Sequence, residues 1–170
     1  MNLRKEIKEH SKKQVIKIAS WINGDKDRFA ELMKLFFNDQ YRVVQRCAWL
    51  VSHVGKKHPE LILPFIKRML EYCKQPVHNS VKRNVIRVLQ NIEIKKKLHG
   101  LATTICFDFL VSSMEPVAIK VFSMSVLSNI ARDEPGIRNE LRMLIEDQME
   151  FAKPAFTSRG KKILKMLGRE

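Results

Sequence analysis

Cysteine is scarce in this chain: 170 residues carry three, Cys47, Cys73 and Cys106. The odd count, the wide spacing and the lack of any Cys-x-x-Cys pair argue against a disulfide framework and a zinc–thiolate site. Each lies among apolar neighbours, where a small buried thiol is expected. Glycine is sparse too, and the six are isolated, so no Gly-rich loop is present to cradle a phosphate. No apolar run approaches the roughly 20 residues of a membrane-spanning helix. Met1-Asn2-Leu3-Arg4-Lys5 leads into charge rather than an apolar signal core, so a cytoplasmic protein is expected. His10, His53, His58, His78 and His99 form no His-x-x-x-His or other ligand set, so no metal is expected. Asp108 and Glu115 sit in an apolar, acid-containing stretch with no nucleophile to pair with. No catalytic residue and no cofactor is therefore assigned.

Acid is the other shortage. Eighteen Asp and Glu face 32 Lys and Arg, a net charge of +14. The excess is uneven: residues 61–100 carry nine basic side chains against two acids, and residues 151–170 carry six against one. Residues 101–150 reverse the balance, with four against eight. Segregated positive charge attracts polyanions, whether acidic proteins, nucleic acid or an anionic surface.

What the chain does have is internal repetition. YRVVQRCAWLVSHV from Tyr41, NSVKRNVIRVLQNI from Asn79 and VAIKVFSMSVLSNI from Val117 start 38 positions apart. A period of this length marks stacked helical pairs, because one pair cannot bury its apolar face without neighbours. Apolar residues recur at helical spacing throughout, and no segment alternates as a strand would. Residues 3–10 are polar and read as a frayed leading helix. Val15, Ile16, Ala19 and Ile22 form a stripe that stops at Asn23-Gly24. Asp25 caps a helix carrying Phe29, Leu32, Met33 and Phe36. The next runs from about Gln40 to Val54 and ends at Gly55. Pro64 falls inside the helix after Pro59 and is expected to bend it. Gln75-Pro76, Glu115-Pro116 and Asp133-Glu134-Pro135-Gly136 punctuate the remainder of the chain. About nine helices result, with no linker, so residues 1–170 read as one domain.

The repeat resembles the HEAT repeat, a helix pair joined by a tight turn. FAELMKLFFNDQYRVVQRCAWLVSHVG, residues 29–55, is the fullest match, followed by residues 62–92, 101–130 and 141–167. Leu63-Pro64 is similar to the family's first-helix proline. Val81-Lys82 and Ile119-Lys120 stand where the family often has Val-Arg, whereas Val44 takes the basic position in the first unit. The resemblance implies an all-α, right-handed α-α superhelix of about four HEAT-like repeats. It also implies a binding role, with the second helices lining a concave groove.

On those second helices, the positions facing away from the core align in columns. The first unit gives Arg46, Trp49 and His53, and the second gives Arg83, Arg87 and Asn91. The third gives Ser125, Asn129 and Arg132, and the last gives Lys162, Lys165 and Arg169. Arg46, Trp49, Arg83, Arg87, Lys162 and Lys165 would form a basic lane. Its arginines can grip carboxylates or phosphates in bidentate fashion, and Trp49 can stack or hold an aliphatic group. The expected function is a non-catalytic module that takes an acidic protein or peptide. The alternative is a DNA or RNA backbone binder. A third reading comes from the HEAT-like alkylpurine DNA glycosylases, which resemble this chain in repeat and charge and use a tryptophan with an aspartate and an arginine. Here Trp49 has Arg46 beside it but no acid within a helical turn.

Overall fold

A computed structural model describes residues 1–168, and these are helical with no strand among them. Ten α-helices succeed one another: α1 (Leu3–Glu6), α2 (Lys12–Ile22), α3 (Lys26–Asn38), α4 (Tyr41–Lys57) and α5 (Ile66–Cys73), then α6 (Asn79–Leu89), α7 (His99–Val111), α8 (Val117–Ile130), α9 (Arg138–Met149) and α10 (Pro154–Leu167). The chain divides into two compact units, one over Met1–Ile92 and one from Glu93 onward. The all-α class read from the sequence is the class of the fold.

In the first unit α4 is the central helix, packing against α2, α3 and α6, while α5 packs on α6. Phe29, Leu32, Met33 and Phe36 of α3 are buried with Cys47, Leu50, Val51 and Val54 of α4. Each such side chain contributes roughly 1.5–3 kcal/mol by leaving water. In the second unit α8 takes the central place, between α7 and α10, and α9 packs on α10. Cys47 and Cys106 are buried, which pushes both thiols up to about 12. None of the three cysteines forms a disulfide.

Local chemistry sets the helix ends. Asn23 adopts the left-handed conformation at the end of α2 (φ 41°), where an asparagine is tolerated. Asp25 caps α3 by accepting from the backbone N–H groups of Asp27 and Arg28, at 3.0 and 2.9 Å.

Four expectations change in the structure. The α2 stripe is Val15, Ile18 and Ile22, while Ile16 is 45 % exposed, because the face turned to α4 lies one step round from the one the pattern suggested. Pro64 does not bend a helix: two 3₁₀ turns, Pro59–Leu61 and Leu63–Phe65, precede α5, which begins only at Ile66. The leading segment is not frayed. Leu3 and Ile7 are buried, and Arg4 clamps Asp39, with Nε donating to Oδ2 at 2.7 Å and Nη2 to Oδ1 at 3.1 Å. Finally, α4 continues through Gly55 to Lys57. Gly55 is buried, and a Cβ there would meet Ile62 Cγ1 at 2.6 Å and Val88 Cγ2 at 2.7 Å. This glycine is present for close approach between neighbouring segments, not to stop the helix.

Candidate functional site

The extra turn of α4 builds the site. Trp49, His53 and Lys56 succeed one another at helical spacing, so they share a face, and Ser52 and Lys57 flank it. That face meets the end of α6, where Arg87 and Val88 stand, and Asn91 just beyond it. Together these residues line a cavity of about 300 Å3. No carboxylate lines it. Lys56, Lys57 and Arg87 are exposed, and none of them has an acidic partner among the described residues.

The charge is felt by the histidine. Burial lowers the proton affinity of His53 below its ordinary value, and Lys57, Arg87, Lys56 and Lys12 push it further the same way. Lys12, at the start of α2, thus lies within electrostatic reach of the pocket. The indole of Trp49 is half-buried. The His10 ring packs on it at 4.6 Å between centroids, tilted by 34°. Trp49 also lines the cavity itself.

The residues of the expected lane are divided between the two units. Trp49 and Arg87 come together in the pocket. Arg83 is exposed one turn earlier on α6. Arg46 turns to the leading segment, where its Nη1 donates to the carbonyl oxygen of Ile7 at 3.2 Å. Lys162 and Lys165 are exposed on α10, in the second unit. Arg169 lies outside the described residues. Lys56 and Lys57 are absent from the expected lane because Gly55 reads as the end of the helix. Their spacing from Trp49 and His53 is the signal that places them.

Trp21 does have an acid nearby. Arg28 lies over its ring at 5.0 Å and pairs with Asp25 at 3.7 Å. That carboxylate caps α3, however, so it is committed to backbone N–H groups at an exposed turn.

The second unit offers a different groove, of about 560 Å3, beside the start of α8 and the end of α9. Its lining mixes Glu115 and Asp147 with Lys120 and Lys153. Lys120 donates to Gln148 Oε1 at 2.8 Å, and burial lowers its proton affinity. Among the described residues, no group of three or more His, Cys, Asp or Glu is placed to hold a metal ion, and no helix is long and apolar enough to cross a membrane.

Residues 3–167 match the family described as the HEAT repeat domain. The chain belongs to the HEAT repeat family. HEAT repeats are binding modules that generally mediate protein interaction. No curated protein and no solved structure matches this HEAT repeat chain.

Proposed function

We propose that this HEAT repeat protein binds an acidic protein or peptide, and that the α4–α6 pocket of the first unit makes the contact. The observation that carries the reading is the lining of that pocket: an aromatic wall, no carboxylate, and three cations without an acidic partner among the described residues. Arg87 offers a planar fork of donors to a carboxylate. Lys56 and Lys57 add point charge, and Trp49 supplies apolar area for a neighbouring side chain of the partner. The net charge of +14 steers a polyanion toward the surface before contact.

Nucleic acid is the competing polyanion, and salt separates the two. Anisotropy of a labelled Glu-rich peptide pool, of duplex DNA and of single-stranded RNA would be compared at about 50 and 200 mM salt. The peptide pool is expected to bind more tightly than either nucleic acid at the higher salt, and Trp49→Ala is expected to weaken it. Tighter binding of DNA or RNA, with a steep salt slope and indifference to Trp49→Ala, would replace this reading with the backbone-binding one.

A further inference from the structure

Resting on the proposed function of the pocket, we infer that the α4–α6 cavity is built for a phosphorylated side chain of the partner peptide. The inference starts from a mismatch between supply and demand. A carboxylate carries one charge and two acceptor oxygens. The cavity presents Lys56, Lys57 and Arg87 on its walls, with Lys12 within electrostatic reach of its imidazole. A single carboxylate would neutralise one of these charges and leave the others unbalanced in the same cavity. A phosphomonoester brings about −1.5 to −2 charges at pH 7 and three strong acceptor oxygens. That matches the charge of a guanidinium and two ammonium groups lining one cavity from two helices.

The remaining walls fit the same guest. His53 sits among the cations and can give a ring N–H to an oxygen in either protonation state. Ser52 is buried in α4 and lines the cavity. At about 300 Å3 the space is at the small end of the roughly 300–1,000 Å3 range of ligand sites, larger than a lone carboxylate needs. Trp49 covers one side, where the carbon part of the phosphorylated residue, or an aromatic ring in the case of tyrosine, would lie. All three cations line one cavity, at the end of α4 and the end of α6, which suits one dianion better than a row of backbone phosphates. The groove of the second unit does not repeat this, since it carries two acids among its walls.

The test uses the full chain and four degenerate peptide pools that differ only at a fixed central residue: serine, glutamate, phosphoserine or phosphotyrosine. Binding is read by anisotropy at pH 7.5. At least one phosphorylated pool is expected to bind about tenfold or more tighter than the glutamate pool, the scale on which extra charge-assisted hydrogen bonds act. Inorganic phosphate should compete for the same site. Lys57→Gln with Arg87→Gln should bring the phosphorylated pool down to the glutamate level while leaving the thermal unfolding curve in place, since both side chains are exposed. Equal affinity for phosphorylated and glutamate pools would overturn the phosphate assignment and leave the acidic-partner reading standing. Failure of all four pools would overturn both. Tighter binding of DNA or of vesicles containing phosphoinositide than of any pool, undiminished by the double variant, would also overturn the assignment.

Discussion

The two units of this protein are built by the same rules and differ in the charge they present. The first, Met1–Ile92, carries 19 Lys and Arg against 8 acids, a balance of +11, and the rest of the chain carries 13 against 10, a balance of +3. Each has a central helix, α4 or α8, sandwiched between helices of its own unit. Each uses a buried glycine where packed segments come close, Gly55 in one and Gly160 in the other. The difference lies in what faces outward. In the first unit the cations of the α4–α6 pocket have no acidic partners among the described residues. In the second, Lys120 is tied to Gln148, the Arg159 guanidinium donates to the Ser125 hydroxyl, and the groove mixes both signs with Phe151, which is 88 % exposed. Periodicity fixes the core of both units, while function depends on the columns that periodicity leaves open.

The sharpest way to break this comparison is charge reversal in each unit separately. Lys57→Glu with Arg87→Glu is expected to weaken binding of a Glu-rich peptide pool by about 100-fold, because like charges then face the ligand. Lys162→Glu with Lys165→Glu in the second unit is expected to change it only a few-fold, through the loss of general steering. Equal effects in isothermal titration would make the attraction a property of net charge rather than of the pocket.

Next in size is the packing of the glycines. Gly55→Ala should destabilise by about 1–3 kcal/mol in urea denaturation, since its Cβ overlaps Ile62 and Val88 from two sides. Gly160→Ala should cost less: a single atom, Ile145 Cγ2 at 2.9 Å, lies within 3 Å of the added Cβ, against three such atoms at Gly55. Gly100→Ala meets nothing within 4 Å and should be neutral or stabilising by about 0.5–1 kcal/mol. A neutral Gly55→Ala would contradict the close-approach role of this glycine.

A smaller effect reports on His53. In the free protein, burial and the surrounding cations hold its proton affinity below the ordinary value near 6.5. Carboxylates of a bound partner would offset those cations, so the imidazole would take up a proton more readily in the proposed complex. The proposed binding would thus be linked to proton uptake. Affinity is flat above the bound-state pKa, rises as pH falls through the interval down to the lower free-state pKa, and is flat again below it. The rise is at most about tenfold per pH unit for one proton. His53→Gln should flatten the profile around and below the ordinary value near 6.5.

The smallest effect is local. The Arg4 guanidinium bonded to Asp39 holds its carboxyl below the usual range, so this contact persists above the ordinary carboxylate pKa and is lost as pH falls through the lower folded value. Asp39→Asn should speed hydrogen exchange at the Ile7 amide, which donates to the Leu3 carbonyl, and leave the global unfolding transition almost unmoved.

Much of the fold is legible in the sequence, and the misses share a cause. The α3 stripe of Phe29, Leu32, Met33 and Phe36 is readable because a strong period of 3.6 turns one face inward. The Asp25 cap is readable because its chemistry is local. Gly55 misleads because a glycine at a helix end and a glycine under a crossing neighbour look the same in one dimension; only Ile62 and Val88, brought in by the fold, tell them apart. The docking of the leading segment is hidden for a similar reason. Leu3 and Ile7 are two apolar residues in a polar stretch, and their burial depends on partners such as Asp39 and Arg46 that lie far along the chain. Arg46 therefore leaves the expected lane, and Lys56 and Lys57 enter the pocket in its place.

The central claim, that the α4–α6 pocket is the binding surface, can be tested through the very scarcity of tryptophan. The chain has two, Trp49 in the pocket and Trp21 in the last turn of α2. The two-dimensional NMR spectrum of the indole N–H groups should therefore show two signals. On titration with a Glu-rich or phosphorylated peptide pool, the Trp49 signal is predicted to move while that of Trp21 stays in place. A moving Trp21 signal beside a fixed Trp49 signal, in the presence of demonstrated binding, would contradict the account.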